Sequence, residues 1–125
     1  MEKTEKTRRR LRDLFADQYL AVLSTHGDGQ PYASLVAFAA SDDLKALYFA
    51  TARSTRKFAN MTATPRAALL IDSRTNTTRD FHEAVAATAT GVAGEVPPAE
   101  RDPLQARYLE KHPHLVDFVT APTCA

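Results

Sequence analysis

The stretch that most constrains the fold is residues 19–40, where two apolar runs flank a short polar turn. The runs YLAVLST and YASLVAFAA carry residues typical of strands, and the turn HGDGQP between them contains two glycines, an aspartate and a proline. Glycine accepts a positive φ, aspartate can close its own turn, and proline starts a return strand. The pattern therefore predicts a β-hairpin, and with it an antiparallel sheet.

Further strand and helix signals follow along the chain. Three more strands are predicted in the segments KALYFAT, RAALLID and AVAATATGVAGEV. The near-continuous apolar character of RAALLID predicts that both of its faces are buried. Helices are predicted over residues 4–16, over STRKFANMTATP with Thr55 or Ser54 as the N-cap, and over PAERDPLQARYLEKHP, followed by a short helical piece in HPHLVDFV.

The order of these elements predicts the fold class. Strands do not alternate regularly with helices, which disfavours a doubly wound parallel sheet. Five or six antiparallel strands with helices at the ends instead predict a mainly β fold, a small closed β-barrel with peripheral helices. The length of 125 residues predicts a single domain, 1–125, whose N-terminal helix takes up residues 1–16.

Composition narrows the classes of function. Sixteen basic and fifteen acidic residues give a net charge of +1, which argues against a protein that coats nucleic acid or an anionic membrane. The single cysteine, Cys124, excludes an intramolecular disulfide and fits a reducing compartment. The N-terminal segment is charged where a signal peptide needs an apolar core, and no apolar run approaches the length of a membrane span. We therefore expect a cytoplasmic protein.

Familiar catalytic motifs are missing from the sequence. It contains no Gly-x-Ser-x-Gly elbow and no glycine-rich phosphate loop, so hydrolases and kinases lose their usual support. Of the four histidines, only His112 and His114 are closely spaced, and no third ligand is evident. We accordingly predict no metal site and assign no catalytic side chain.

The remaining candidate is the segment TARSTRK, residues 51–57, between a predicted strand and a predicted helix. A helix N-terminus offers unpaired N–H groups and a partial positive charge, which favour an anion. Arg56 can grip phosphate oxygens with its planar guanidinium, and Lys57 adds a point charge. Spacing alone leaves a capped, solvated turn as an almost equal alternative.

The whole arrangement resembles the FMN-binding split-barrel proteins related to pyridoxamine 5′-phosphate oxidase. The resemblance covers residues 14–95 and is carried by GQPYASLVAFA, YFATARSTRKFANMTATPRAALLID and ATATGVAGEV. It implies an antiparallel six-stranded split β-barrel that binds FMN at the interface of a homodimer. Because the chain stops at TAPTCA, where the last strand is expected, we predict either a shortened barrel or part of a longer natural chain, and favour the latter.

The resemblance also implies roles for particular residues. The flavin ring is expected to lie along the backbone of Ser34, Leu35 and Val36, in a pocket that is also lined by Ala50 and Thr51. The phosphate is expected to be held by Ser54, Thr55, Arg56 and Lys57. By likeness to the haem-utilisation branch, Arg74 and Asn76 in a later loop are also expected to reach the site.

Several functions are compatible with this pattern. The leading hypothesis is an FMN-dependent oxidoreductase that passes hydride between a nicotinamide donor or small substrate and the flavin. The segment EAVAAT lacks the glutamine that touches the flavin in the vitamin-processing oxidase, and that oxidase's C-terminal substrate strand is missing. Pyridoxine phosphate is therefore not the expected substrate. The alternatives are a flavin or haem binding and storage module without turnover, and a deazaflavin-dependent reductase.

Overall fold

The computed structural model describes residues 2–125. It contains five strands and five α-helices, with a 3-10 turn at Pro113–Leu115. In chain order the elements are α1 Glu2–Asp17, β1 Leu20–Gly27, β2 Gln30–Ala40, β3 Leu47–Phe49, α2 Arg56–Ala63, β4 Arg66–Asp72, α3 Asp80–Glu83, β5 Ala86–Val92, α4 Pro98–Lys111 and α5 Val116–Thr120.

The strands form one antiparallel sheet in the order β3-β2-β1-β4-β5. The predicted hairpin lies at its centre, because β1 pairs with β2 on one side and with β4 on the other. Its turn places Asp28 at φ 52° and Gly29 at φ 78°, the left-handed region that glycine and aspartate tolerate best. The prediction of the hairpin is confirmed, and so is the mainly β fold with peripheral helices.

The sheet curls around a core made by one face of each strand. Side chains alternate across a strand, so Ala21, Leu23 and Thr25 of β1 point inward and are buried. The inner face of the sheet meets α1, whose Leu14 and Phe15 close one side of the core. The full buried cluster is Leu14, Phe15, Ala21, Leu23, Val36, Phe38, Leu69 and Ile71.

A second layer is built by the C-terminal helices. Tyr108 of α4 is buried with Ala39 and Val119, and its hydroxyl donates to the Ala37 carbonyl at 3.0 Å. His112, which is 1% exposed, has its Nε2 2.7 Å from the Phe38 carbonyl oxygen, so this nitrogen carries the proton and donates it. These contacts attach α4 to the β2 strand.

The barrel is less closed than the strand pattern predicts. The third strand covers only Leu47–Phe49, and within the described residues no sixth strand joins β3 to β5. A cavity of about 440 Å³ opens between these two strands, lined in part by Phe49 and Leu69. The expected closed barrel is therefore wrong for this chain, whereas a split barrel without its last strand is confirmed.

The expectation for the segment RAALLID also needs correction. In β4 the inward-facing Leu69 and Ile71 are buried, whereas Leu70 on the other face is only half-buried. An apolar run alone cannot distinguish a strand buried on both faces from one buried on a single face, because a face left uncovered within one chain can be equally apolar.

No helix in the described part of the chain is both long enough and apolar enough to cross a membrane.

The burial of His112 predicts a specific pH dependence of stability. Burial, together with the nearby charges of Lys111 and His114, lowers the pKa of His112 below the ordinary 6.5. As the pH falls below 6.5, the unfolded chain takes up a proton that the folded chain resists, so the free energy of unfolding decreases. Urea titrations between about pH 7.5 and pH 5 should show this loss, and His112→Phe should flatten it. His82→Gln, a change at an exposed histidine, is the control and should keep the wild-type slope.

Candidate functional site

The corner between β3 and α2 is organised by a helix cap. Thr55 is the N-cap of α2, with φ −83° and ψ 156°, and its Oγ1 accepts from the Phe58 N–H at 3.3 Å. The Thr55 hydroxyl also donates to the Ala52 carbonyl at 2.9 Å, and Thr51 Oγ1 lies 3.0 Å from Thr55 Oγ1. The predicted cap at Thr55 is thus confirmed, and the hydroxyl protons of Thr51 and Thr55 already have partners inside the corner.

Other donors at the corner remain free. The N–H groups of Arg56 and Lys57, in the first turn of α2, have no hydrogen-bond partner within residues 2–125, and neither has the exposed Ser54 hydroxyl. Such first-turn N–H groups carry the positive end of the helix dipole. The corner therefore presents a small set of unpaired donors to solvent.

The two cationic side chains of α2 turn towards β2. Lys57 is half-buried, and its Nζ lies 3.5 Å from Ser34 Oγ on the inner face of that strand. Arg56 is exposed, and its guanidinium carbon lies 5.9 Å from the centroid of the Tyr32 ring. The structure thus brings Ser34 together with Lys57, as expected for one site. It adds Tyr32, for which the sequence carried no signal.

Arg53, in the same basic segment, has a different environment. Its guanidinium pairs with Glu95, beyond β5, and lies 5.6 Å from the centroid of the Phe58 ring. Because this charge is already balanced by a carboxylate, Arg53 connects two segments of the chain and contributes little free charge to the corner.

The C-terminal segment forms one wall of the corner, which the sequence did not predict. The Ala125 N–H donates to the Thr51 carbonyl at 2.8 Å, and the Arg53 N–H donates to the Thr123 carbonyl at 2.9 Å. Ala52 and Cys124 form an isolated antiparallel bridge between them. The backbone of residues 51–53 is therefore held against the C-terminal segment up to the turn that precedes α2.

On the β2 side, the pairing pattern determines which backbone groups are free. The Phe38 N–H donates to the Tyr19 carbonyl, so even-numbered residues of β2, including Ser34 and Val36, direct their backbone groups towards β1. Leu35 directs its backbone N–H and C=O to the opposite edge of β2. On that edge β3 pairs only with Phe38–Ala40, so no strand lies beside Leu35. Of the three residues expected along the flavin ring, Leu35 alone thus has its backbone facing an open edge.

The loop that holds Arg74 and Asn76 lies elsewhere. Arg74 pairs with Asp72 at 3.0 Å, and Asn76, at φ 61°, donates its N–H to Asp80 at 2.7 Å. The strand register sets Asp72 of β4 opposite Leu20 of β1. The corner lies at the level of Thr25 of β1, whose strand partner Tyr32 is beside Arg56. These two levels are five residues apart along β1, or about 16 Å. Within one chain, the structure does not bring this loop to the corner, and a role for these two residues stays a prediction.

In the described part of the chain, no three His, Cys, Asp or Glu side chains are grouped so that they could hold an ion. Ala50 and the buried Thr51 follow β3 directly, and Ala50 packs against the Tyr108 cluster. The geometry thus defines a split-barrel protein with a basic corner, rich in unpaired donors, between its third strand and second helix.

Comparison with known proteins identifies the family. The family model described as pyridoxamine 5′-phosphate oxidase matches residues 7–122, and the chain belongs to this family. A comparison with curated proteins found no match.

Solved structures confirm the fold. A protein of unknown function from Agrobacterium tumefaciens has a TM-score of 0.83 at 21% identity, over 95% of this chain and 51% of its own. The heme storage protein HutZ from Vibrio cholerae has a TM-score of 0.77 at 14% identity, over 93% of this chain and 83% of its own. The FAD and heme binding protein from Mycobacterium smegmatis has a TM-score of 0.70 at 18% identity, over 93% of this chain and 59% of its own. This chain thus spans about half of the Agrobacterium protein.

Proposed function

We propose that this protein binds FMN at the corner between β3 and α2, as a cytoplasmic homodimer, and acts as an oxidoreductase on a small substrate. One observation carries the proposal. The unpaired first-turn N–H groups of α2, the Lys57 ammonium and the Ser34 hydroxyl converge beside an open strand edge.

The donors at the corner fit a phosphate dianion. Lys57 and Arg56 supply two positive charges, and the guanidinium of Arg56 can offer two parallel N–H groups to neighbouring oxygens. The unpaired N–H groups of Arg56 and Lys57 and the Ser54 hydroxyl can donate to the remaining phosphate oxygens without breaking an existing hydrogen bond. Thr55 contributes indirectly, because its cap keeps the first turn of α2 in place. Direct contact of the Thr55 hydroxyl with phosphate stays a prediction, and so does the lining of the flavin pocket by Thr51.

The open edge of β2 fits the polar rim of a flavin ring. The free N–H of Leu35 can donate one hydrogen bond and its free C=O can accept one, both in the plane of the sheet. When bound, FMN would supply the redox chemistry, accepting or donating a hydride. The chain would then orient the ring and balance the phosphate charge.

The outer face of the sheet supports the homodimer. Register sets Leu20, Val22, Leu35 and Leu70 on this face, and Leu20 and Leu35 are 54% and 61% exposed. A contiguous apolar surface of this kind marks an interaction site. A second copy that covers it would bring its own Leu35 edge into the interface.

A second candidate is a binding or storage protein without turnover. The similarity to the Vibrio heme storage protein, 83% of which this chain covers, favours it. The Mycobacterium structure, described as binding FAD and heme, is compatible with either ligand class. A deazaflavin is the remaining cofactor alternative, and the Arg56 and Lys57 pair favours FMN over it.

The phosphate clamp makes the first prediction about binding. Arg56→Ala combined with Lys57→Ala should cost about 2–5 kcal/mol of FMN binding free energy, because two charged partners of the phosphate are removed. Riboflavin, which lacks the phosphate, should bind wild type and variant alike. Fluorescence titration of both ligands measures the difference. Arg9→Ala combined with Arg10→Ala removes the same charge from the exposed face of α1 and should leave FMN affinity unchanged.

The cofactor and the reaction need a separate measurement. We expect the purified protein to be yellow, to release FMN identified by mass spectrometry, and to lose its visible flavin absorbance when NADH or NADPH is added without air. Haem or deazaflavin in the released ligand would replace FMN in the proposal. Bound FMN that stays oxidised with both donors would favour the storage function.

The outer face of the sheet predicts the oligomeric state. Light scattering should give a mass about twice the 13.7 kDa of the chain. Leu20→Glu should shift the protein towards monomer, because it places a charge in an apolar contact. Phe81→Glu, a change at an apolar residue that is 86% exposed on α3, should stay dimeric. A monomeric wild type would contradict the proposed assembly.

A further inference from the structure

A buried polar contact attaches α2 to the central hairpin. Asn60 of α2 is 9% exposed, and its Nδ2 donates to Thr25 Oγ1 of β1 at 3.1 Å. Thr25 is 4% exposed. Polar side chains this deeply buried are stable only when they are hydrogen-bonded, so the contact fixes a specific position of the helix.

The end of β1 is shaped to admit Asn60. Gly27 pairs with Gln30 as the last residue pair of the hairpin, and a Cβ added at Gly27 would lie 2.2 Å from Asn60 Oδ1. Gly27 is not among the residues with positive φ, so its backbone conformation does not require glycine. The close approach of Asn60 does require it.

The same face of α2 carries the phosphate-binding lysine. Asn60 and Lys57 are three residues apart, a spacing that puts them side by side on a helix. Asn60 contacts Thr25 on β1, and Lys57 contacts Ser34 on β2, two residues from the strand partner of Thr25. The contact between Asn60 and Thr25 therefore sets the distance of α2 from the hairpin. The contact between Lys57 and Ser34 depends on that distance.

We infer that Thr25, Gly27 and Asn60, here called the helix seat, are positioning residues for phosphate recognition by α2. The inference rests on the proposed FMN site. The seat fixes the position of the first turn of α2, and with it the position of Lys57 relative to Ser34. It does not touch the open edge of β2 where the ring is expected. Its loss should therefore weaken binding of the phosphate and spare the ring.

Thr25→Val is the mildest test, because valine keeps the shape of threonine and removes only the oxygen that accepts from Asn60. We expect it to weaken FMN binding about tenfold and riboflavin binding less than about twofold, so that the FMN to riboflavin affinity ratio falls. Thr62→Ala, on the exposed side of the same helix, is the matched control and should keep the wild-type ratio.

Gly27→Ala perturbs the seat from the opposite side, because its new methyl group pushes Asn60 outward. It should lower the same ratio, and thermal melts should show that both variants remain folded. If Gly27→Ala does not fold, the ratio measured for Thr25→Val decides.

The outcomes separate the inference from the function on which it rests. A wild type that prefers FMN to riboflavin, combined with variants that keep this preference or lose both ligands equally, would overturn the helix seat and leave the FMN site standing. A wild type that binds FMN no better than riboflavin would overturn the phosphate site itself, and the inference with it.

Discussion

The register of the central hairpin is the constraint on which the rest of the structure depends. It runs without interruption from the pair Leu20↔Ala37 to the pair Gly27↔Gln30. Because side chains alternate across a strand, a slip of one residue would exchange the inner and outer faces along the whole hairpin. The register thus places Ser34 and Thr25 on the inner face, beneath α2, and Leu35 on the outer face. Both halves of the proposed site, the phosphate corner and the open strand edge, follow from this one alignment.

Local signals in the sequence were sufficient for the elements of the site. The glycine-rich turn, the Thr55 cap and the cations after it are all encoded within a few residues, where turn and capping chemistry act. The long-range contacts were beyond such reasoning. Lys57 meets Ser34 across 23 residues and Asn60 meets Thr25 across 35, and no periodic pattern links these positions. The pairing of Thr123 and Ala125 with the corner was hidden for the same reason.

The fold shows the same division between local and distant information. Strand identity was readable from composition, yet the length of β3 depends on where its partner strand lies, and only Leu47–Phe49 find one. Closure of the barrel is likewise a property of all strands together, set by their number and stagger. The half-exposed outer face of β4 is as apolar as a core strand, because composition alone does not show whether a face is covered within the chain.

Charge pairing favours the proposed anion site over a solvated turn at the corner. Arg53, Arg56 and Lys57 look alike in the sequence, but Arg53 pairs with Glu95, 42 residues away. Arg56 and Lys57 have no carboxylate partner among the ion pairs of residues 2–125. Two adjacent cations beside the positive end of a helix repel one another, and Lys57 is also partly removed from water. An anion bound at the corner would relieve both costs at once, so the charge left unbalanced by folding would contribute to the free energy of binding.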